Sequence, residues 1–164
     1  MNTAYIPQAG DVGTLATGTF SSFWIQLGER SRADHVVVAD GHGGCYEATP
    51  RKGVCHSPLS RYDGKPIAWD KHREKTLEQR IKAIMVCEGY LGTRYFWRAI
   101  VVTGLHLLGL DLPAWARGNM SEQQGVICSE FGAIVLREMG FEFLGEEPAW
   151  RITPADHEEV TLFL

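Results

Sequence analysis

One stretch constrains the fold of this chain more than any other: His35-Val-Val-Val-Ala-Asp-Gly-His-Gly-Gly-Cys-Tyr-Glu-Ala-Thr49. A β-branched run, a glycine-rich turn and a second extended run make a β-hairpin, because β-branched side chains favour extended backbone and glycines take the positive φ angles of tight turns. Side-chain alternation adds a condition. With an even-length loop, residues 35 and 47 would lie on opposite faces of the sheet. For His35 and Glu47 to meet, the loop must be odd or bulged near Gly43-Gly44.

Around this hairpin the other elements are short. Residues 10–16 read as a turn into a strand, and residues 21–28 carry Phe23, Trp24 and Leu27 at helical spacing. Gly53-Val54 and Lys65-Pro-Ile-Ala-Trp69 read as further strands, the proline holding the latter at an edge or at its own start. Thr76 and Gln79 form a capping box, and Leu77, Ile81, Ile84 and Met85 follow on one helical face, up to Gly89 or Gly92. Residues 100–112 read as a buried helix. From 127 to 139, Ile127, Phe131, Ile134 and Val135 make another helical stripe, closed by Gly140. Short strands are expected at 141–143 and 160–164. The class is therefore α+β, a small, mostly antiparallel sheet packed with helices, and the absence of a linker or repeat points to one domain over 1–164.

Composition narrows the function. With 164 residues, 45% apolar and 22% charged, the chain is long enough for a sizeable core. A formal net charge of −4 offers no basic surface for neutralising phosphates, so nucleic acid is not expected as a partner. The apolar run at 100–112 falls short of a membrane span, so no stable membrane insertion is expected. The first residues lack a secretory signal, which places the chain as given in the cytoplasm. Four cysteines, at 45, 55, 87 and 128, need not be paired in a chain with a good core and are expected to be free thiols.

Cys128 opens a helix, where unpaired N–H groups and the helix dipole stabilise a thiolate and can donate to an oxyanion. Position alone does not separate it from a cysteine that merely packs. His35, at the start of a strand, has the fixed perch that a general base needs. Glu47 on the partner strand can accept the other imidazole N–H, fixing the tautomer and favouring imidazolium beside thiolate.

The His35-to-Ala48 segment resembles the His-strand-turn-strand segment of NlpC-type papain-like cysteine hydrolases. Cys128-Ser-Glu-Phe131 resembles their nucleophile helix, and Leu91-Gly-Thr-Arg-Tyr95-Phe-Trp97 their Gly-x-x-Tyr-x-Trp segment. In most of that family the cysteine precedes the histidine. Here the histidine comes first, which is similar to the circularly permuted, YiiX-like branch, as are Gly10-Asp11 and Ile152-Thr-Pro-Ala-Asp156. The resemblance covers most of residues 9–157. It implies a permuted papain-like fold with Cys128 as nucleophile, His35 as base, Glu47 as orienting group and Tyr95 near the oxyanion or substrate. Val37, where the family usually has a small residue, and Arg94, where proline is common, depart from the pattern.

The resemblance implies hydrolysis of an amide bond through an acyl-enzyme, in peptidoglycan stem peptides, with no cofactor. A lipid ester or thioester substrate is the related alternative, since acyltransferases and phospholipases share the permuted branch. A catalytically silent peptide- or lipid-binding module is the other. The lack of a signal or wall-binding module is awkward for a free-standing wall hydrolase. A phage-encoded or lysis-released enzyme escapes that objection, as does a cytoplasmic enzyme acting on recycled peptides. His42, Cys45, Cys55 and His56 cluster in sequence and could suggest tetrahedral zinc, but neighbouring Cys55 and His56 would point apart on an extended chain, so no metal is expected.

Overall fold

The computed structural model describes residues 5–17, 33–71, 73–96, 125–142 and 152–157. Strands β1 (Val12–Leu15), β2 (His35–Ala39), β3 (Gly44–Thr49), β4 (Gly53–Pro58) and β5 (Ile67–Trp69) form one sheet of five strands in the order β4-β3-β2-β1-β5. All neighbours are antiparallel. With helices α1 (Leu77–Tyr90) and α2 (Cys128–Glu138) and a 3-10 helix at Leu59–Tyr62, the architecture is the expected α+β class. β5 is an edge strand that starts directly after Pro66, where a missing N–H costs no ladder bond.

The expected hairpin forms between β2 and β3, and its loop is odd. The Asp40 N–H donates to the Gly44 carbonyl across 3.0 Å, leaving Gly41, His42 and Gly43 as the loop. Gly41 and Gly43 hold φ of 80° and 91°, which a side chain would make costly. Asp40 fixes the turn from inside, its Oδ1 accepting the N–H groups of His42 and Gly44. The resulting register sets Val37 opposite Glu47, so residues 35, 37, 45 and 47 share one face.

The central strand β2 is buried along its whole length because both faces are covered, which accounts for its three consecutive valines. One face, with Val12, Val36, Val38, Tyr46, Ala48 and Val54, packs on α1 and α2 through residues such as Ala83, Cys87, Phe131 and Val135. The other face, with Leu15, Val37 and Cys45, is covered by Tyr62 and flanked by Leu59, Ile67 and Trp69. Helix α2 comes close to the sheet at Gly132, where an added Cβ would stand 2.7 Å from Val36 Cγ1.

Helix α1 begins as expected, with the reciprocal Thr76–Gln79 capping box. Its orientation is a correction: Leu77, Ile81 and Met85 are exposed, while Ala83 and Cys87 are buried and Ile84 is partly so. Polar tethers set this rotation. Arg80 Nη1 donates to the Ala9 carbonyl and to Asp11 Oδ1, and Gln79 Nε2 donates to the Met139 carbonyl. Asp11 is itself buried with Lys75, whose ammonium bridges Asp11 and Asp70. Turning the larger apolar side chains inward would break these bonds and unpair buried charge.

Helix α2 ends in a Schellman motif. Gly140 takes φ of 85°, and the Phe141 N–H donates to the Leu136 carbonyl. That bond commits Phe141 to the cap, and the strand expected from 141 does not begin there. The expected helices at 21–28 and 100–112 and the strand at 160–164 lie outside the described residues. Among the described residues no helix is long and apolar enough to cross a membrane.

Candidate active site

The hairpin brings two of the candidate residues together. His35 stands diagonally across from Glu47 on the same face, and its Nε2 lies 2.8 Å from Glu47 Oε2. The Cys128 side chain lies beside the ring and favours its charged form. With Nε2 directed at the carboxylate, Nδ1 is the nitrogen left for the sulfur. Cys128 belongs to the core on the helix-covered face, whereas Val37, Cys45 and Glu47 belong to the opposite face. The three side chains meet because His35 is the first residue of β2, where the ring can reach around the strand end to the first turn of α2.

Tyr95 reaches the same place by a different route. Gly92 and Thr93 hydrogen-bond Val54, while the 94–96 segment pairs with Val126 two residues before Cys128. Burial, followed by the neighbouring Cys128 side chain, pushes the Tyr95 hydroxyl up. All four residues singled out in the sequence thus form one contiguous cluster.

Electrostatics follows from the contacts. Burial alone would lower the His35 imidazole, but the neighbouring Cys128 side chain and the hydrogen bond to Glu47 outweigh this and raise it to about 10. Burial disfavours ionisation of Glu47, yet donors from His35, Ser57 and Tyr62 hold its carboxyl down at about 2. The pair is therefore imidazolium and carboxylate at neutral pH. The start of α2 adds a second feature. Ile127, at its N-cap, has no side-chain acceptor, and Glu130 turns back to accept the Ile127 N–H across 3.3 Å. Ile127 itself cannot cap the first-turn N–H groups beside the thiol, which suits them to a developing anion.

Sequence reasoning missed what surrounds Glu47. Arg61 Nη1 donates to its Oε1 across 2.8 Å, and the Tyr62 hydroxyl donates to its Oε2. Both come from the 3-10 helix at Leu59–Tyr62, which has no periodicity to find. A buried carboxylate's need for donors was the available signal. On the first turn of α2, His157 Nε2 donates to the Ser129 carbonyl across 2.8 Å. His157 follows a helical turn started by the reciprocal Thr153–Asp156 bonds.

The cysteines of the zinc alternative and His56 lie on opposite faces of the sheet. Cys45 pairs with Ser57 and Glu47 with Cys55 on one face, while Tyr46 pairs with His56 on the other. His56 Nε2 is engaged with Asp40 Oδ2 at 2.8 Å. Among the described residues no group of three or more His, Cys, Asp or Glu side chains is gathered to hold a metal ion.

No protein-family model and no curated protein matches this chain. The fold does have a solved counterpart. The chain is similar to the crystal structure of the metalloprotein yiiX from Escherichia coli O157:H7, with a TM-score of 0.61 and 19% identity over 85% of this chain and 70% of that one. At that identity the likeness shows a shared YiiX-like fold, the architecture that the order of the motifs implies.

Proposed function

We propose that this protein is a cysteine hydrolase that cleaves an amide bond in a peptide, with peptidoglycan stem peptides as the substrate class. The observation that carries this reading is the continuous contact from Cys128 through His35 to the buried Glu47. Its order is that of nucleophile, base and orienting group, in which each member fixes the next.

In the reaction, His35 holds the proton taken from Cys128, and the sulfur attacks the carbonyl carbon. N–H groups at the start of α2 stabilise the oxyanion, with the Tyr95 hydroxyl beside them. The imidazolium then gives its proton to the leaving amine as the C–N bond breaks. Water, giving a proton to His35, attacks the thioester, and the carboxylic acid leaves as the thiol reforms. Throughout, Glu47 keeps the ring oriented and balances its charge.

Incubation with muropeptides, followed by mass spectrometry of the products, tests the reading. The native protein is expected to release a new amine and carboxylate at one peptide bond. Cys128→Ala should abolish cleavage, and His35→Ala should lower it by roughly a thousandfold or more. Cleavage retained in Cys128→Ala would overturn the mechanism. Turnover of lipid esters with intact muropeptides would keep the mechanism and reassign the substrate.

A further inference from the structure

A carboxylate held by one imidazole can swing about its side-chain bonds. Glu47 is instead pinned at both oxygens. Oε2 takes His35 and Tyr62, and Oε1 takes Arg61. The Ser57 hydroxyl is a further donor. The Tyr62 ring also packs beside the His35 ring, with centroids 6.0 Å apart, and the Arg61 guanidinium lies 5.8 Å from the Tyr62 ring centre. The 3-10 helix carrying both donors is tied to the hairpin loop, because the Leu59 N–H donates to the Gly43 carbonyl across 2.9 Å. Turn, donors and carboxylate thus form one rigid unit behind the histidine.

Resting on the assignment of Cys128 and His35 as nucleophile and base, we propose that Arg61 and Tyr62 are positioning residues that clamp Glu47 so that His35 is held at the angle its partner thiol requires. The chemistry of the two donors suits this role. Tyr62 binds the oxygen that faces the histidine without adding a charge, so the carboxylate stays anionic toward the ring. Arg61 brings a cation, but its side chain is about half exposed (49%) and its charge is shared with water. Among the described residues, His35, Cys45 on its own strand and Cys55 directly across the ladder also face Glu47, and burial pushes the Cys45 thiol up. Arg61 therefore adds a partly screened positive charge at Oε1, while the Tyr62 hydroxyl and the His35 ring hold Oε2.

The test separates positioning from simple neutralisation of a buried acid. Iodoacetamide alkylation of Cys128 is followed across pH in the full chain, with the buried thiols of Cys45 and Cys87 as inert references. The Glu47 carboxyl is titrated in parallel by ¹³C NMR. Tyr62→Phe and Arg61→Met should each slow Cys128 alkylation at pH 7 by about tenfold, the effect typical of losing an outer-shell partner. In both, the Glu47 midpoint and the acid limb of the alkylation profile should move up together, and Arg61→Lys should restore much of the rate. If the Glu47 midpoint moves while the rate and profile of Cys128 stay at native values, the two residues merely neutralise the acid and the proposal is wrong. If Tyr62→Phe does not fold, the half-exposed Arg61 variants carry the same test. His35→Ala marks the boundary: were it to leave Cys128 reactivity unchanged, the nucleophile–base assignment would fail, and with it the role of the clamp.

Discussion

At the scale of the residue, the decisive property of Glu47 is its charge in a place where charge is costly. Its carboxylate is fully buried, and the four donors around it offset the loss of water. Replacing it with glutamine keeps an acceptor at that position but removes the negative charge that helps lift His35. The ring of Glu47→Gln should therefore titrate well below about 10, with Cys128 alkylation at pH 7 slowed roughly ten- to a hundredfold. NMR titration of the His35 ring checks this, and a midpoint still near 10 would show that Cys128 alone sustains the cation. The meeting of His35 and Glu47 was legible in the sequence because strand alternation and a glycine turn are local rules. The support from Arg61 and Tyr62 was not, since contacts 14 and 15 residues apart through an irregular turn leave no periodic trace.

Among the elements, helix boundaries were easier to read than helix faces. The capping box of α1 and the glycine cap of α2 are backbone requirements met by nearby side chains, so both ends of the description survive. Which face of α1 turns inward depends on partners distant in sequence. Asp11 attracts Arg80, Ala83 lets the helix lie against Gly10, and Leu77, Ile81 and Met85 are left outside. Leu77→Lys and Met85→Lys should accordingly change stability by no more than about 0.5 kcal/mol, as for ordinary surface sites. Were that stripe the core, each would cost several times as much, and thermal unfolding of the two variants distinguishes the cases. Gly132 is the opposite case. A methyl group there gains about 1 kcal/mol of helix propensity but meets Val36 at 2.7 Å and His157 at 3.1 Å. Overpacking of this kind costs about 1–3 kcal/mol, so Gly132→Ala should lower the melting temperature and displace the first turn of α2 that carries Cys128.

For the whole molecule, the same buried groups that build the site set the pH range in which the fold is stable. His157 is buried, and burial pushes its imidazole from the ordinary 6.5 down to about 4, despite the Ser129 carbonyl and nearby Asp156, with Arg73 adding to the depression. As pH falls below 6.5 the unfolded chain takes up a proton that the folded one refuses, so stability is present above 6.5 and is lost progressively down to about 4. A shift of that size is worth about 3 kcal/mol. Glu47, ordinarily 4.5 and held at about 2 in the fold, extends the loss to lower pH, since its unfolded form binds a proton first. His35 works in the other direction. Raised from 6.5 to about 10, it contributes fully below 6.5, and that contribution fades as pH rises toward 10. The His35–Glu47 contact enters both limbs, so their contributions are not additive. The melting temperature should peak between about pH 6 and 7 and decline on both sides. Replacing His157 with glutamine, which can still donate to the Ser129 carbonyl, should flatten the limb between pH 4 and 6.5 while leaving the alkaline limb in place. Calorimetric scans of the two proteins across pH 3–10 decide the matter: an unchanged acid limb in His157→Gln would mean that the buried ring is not what limits the fold in acid.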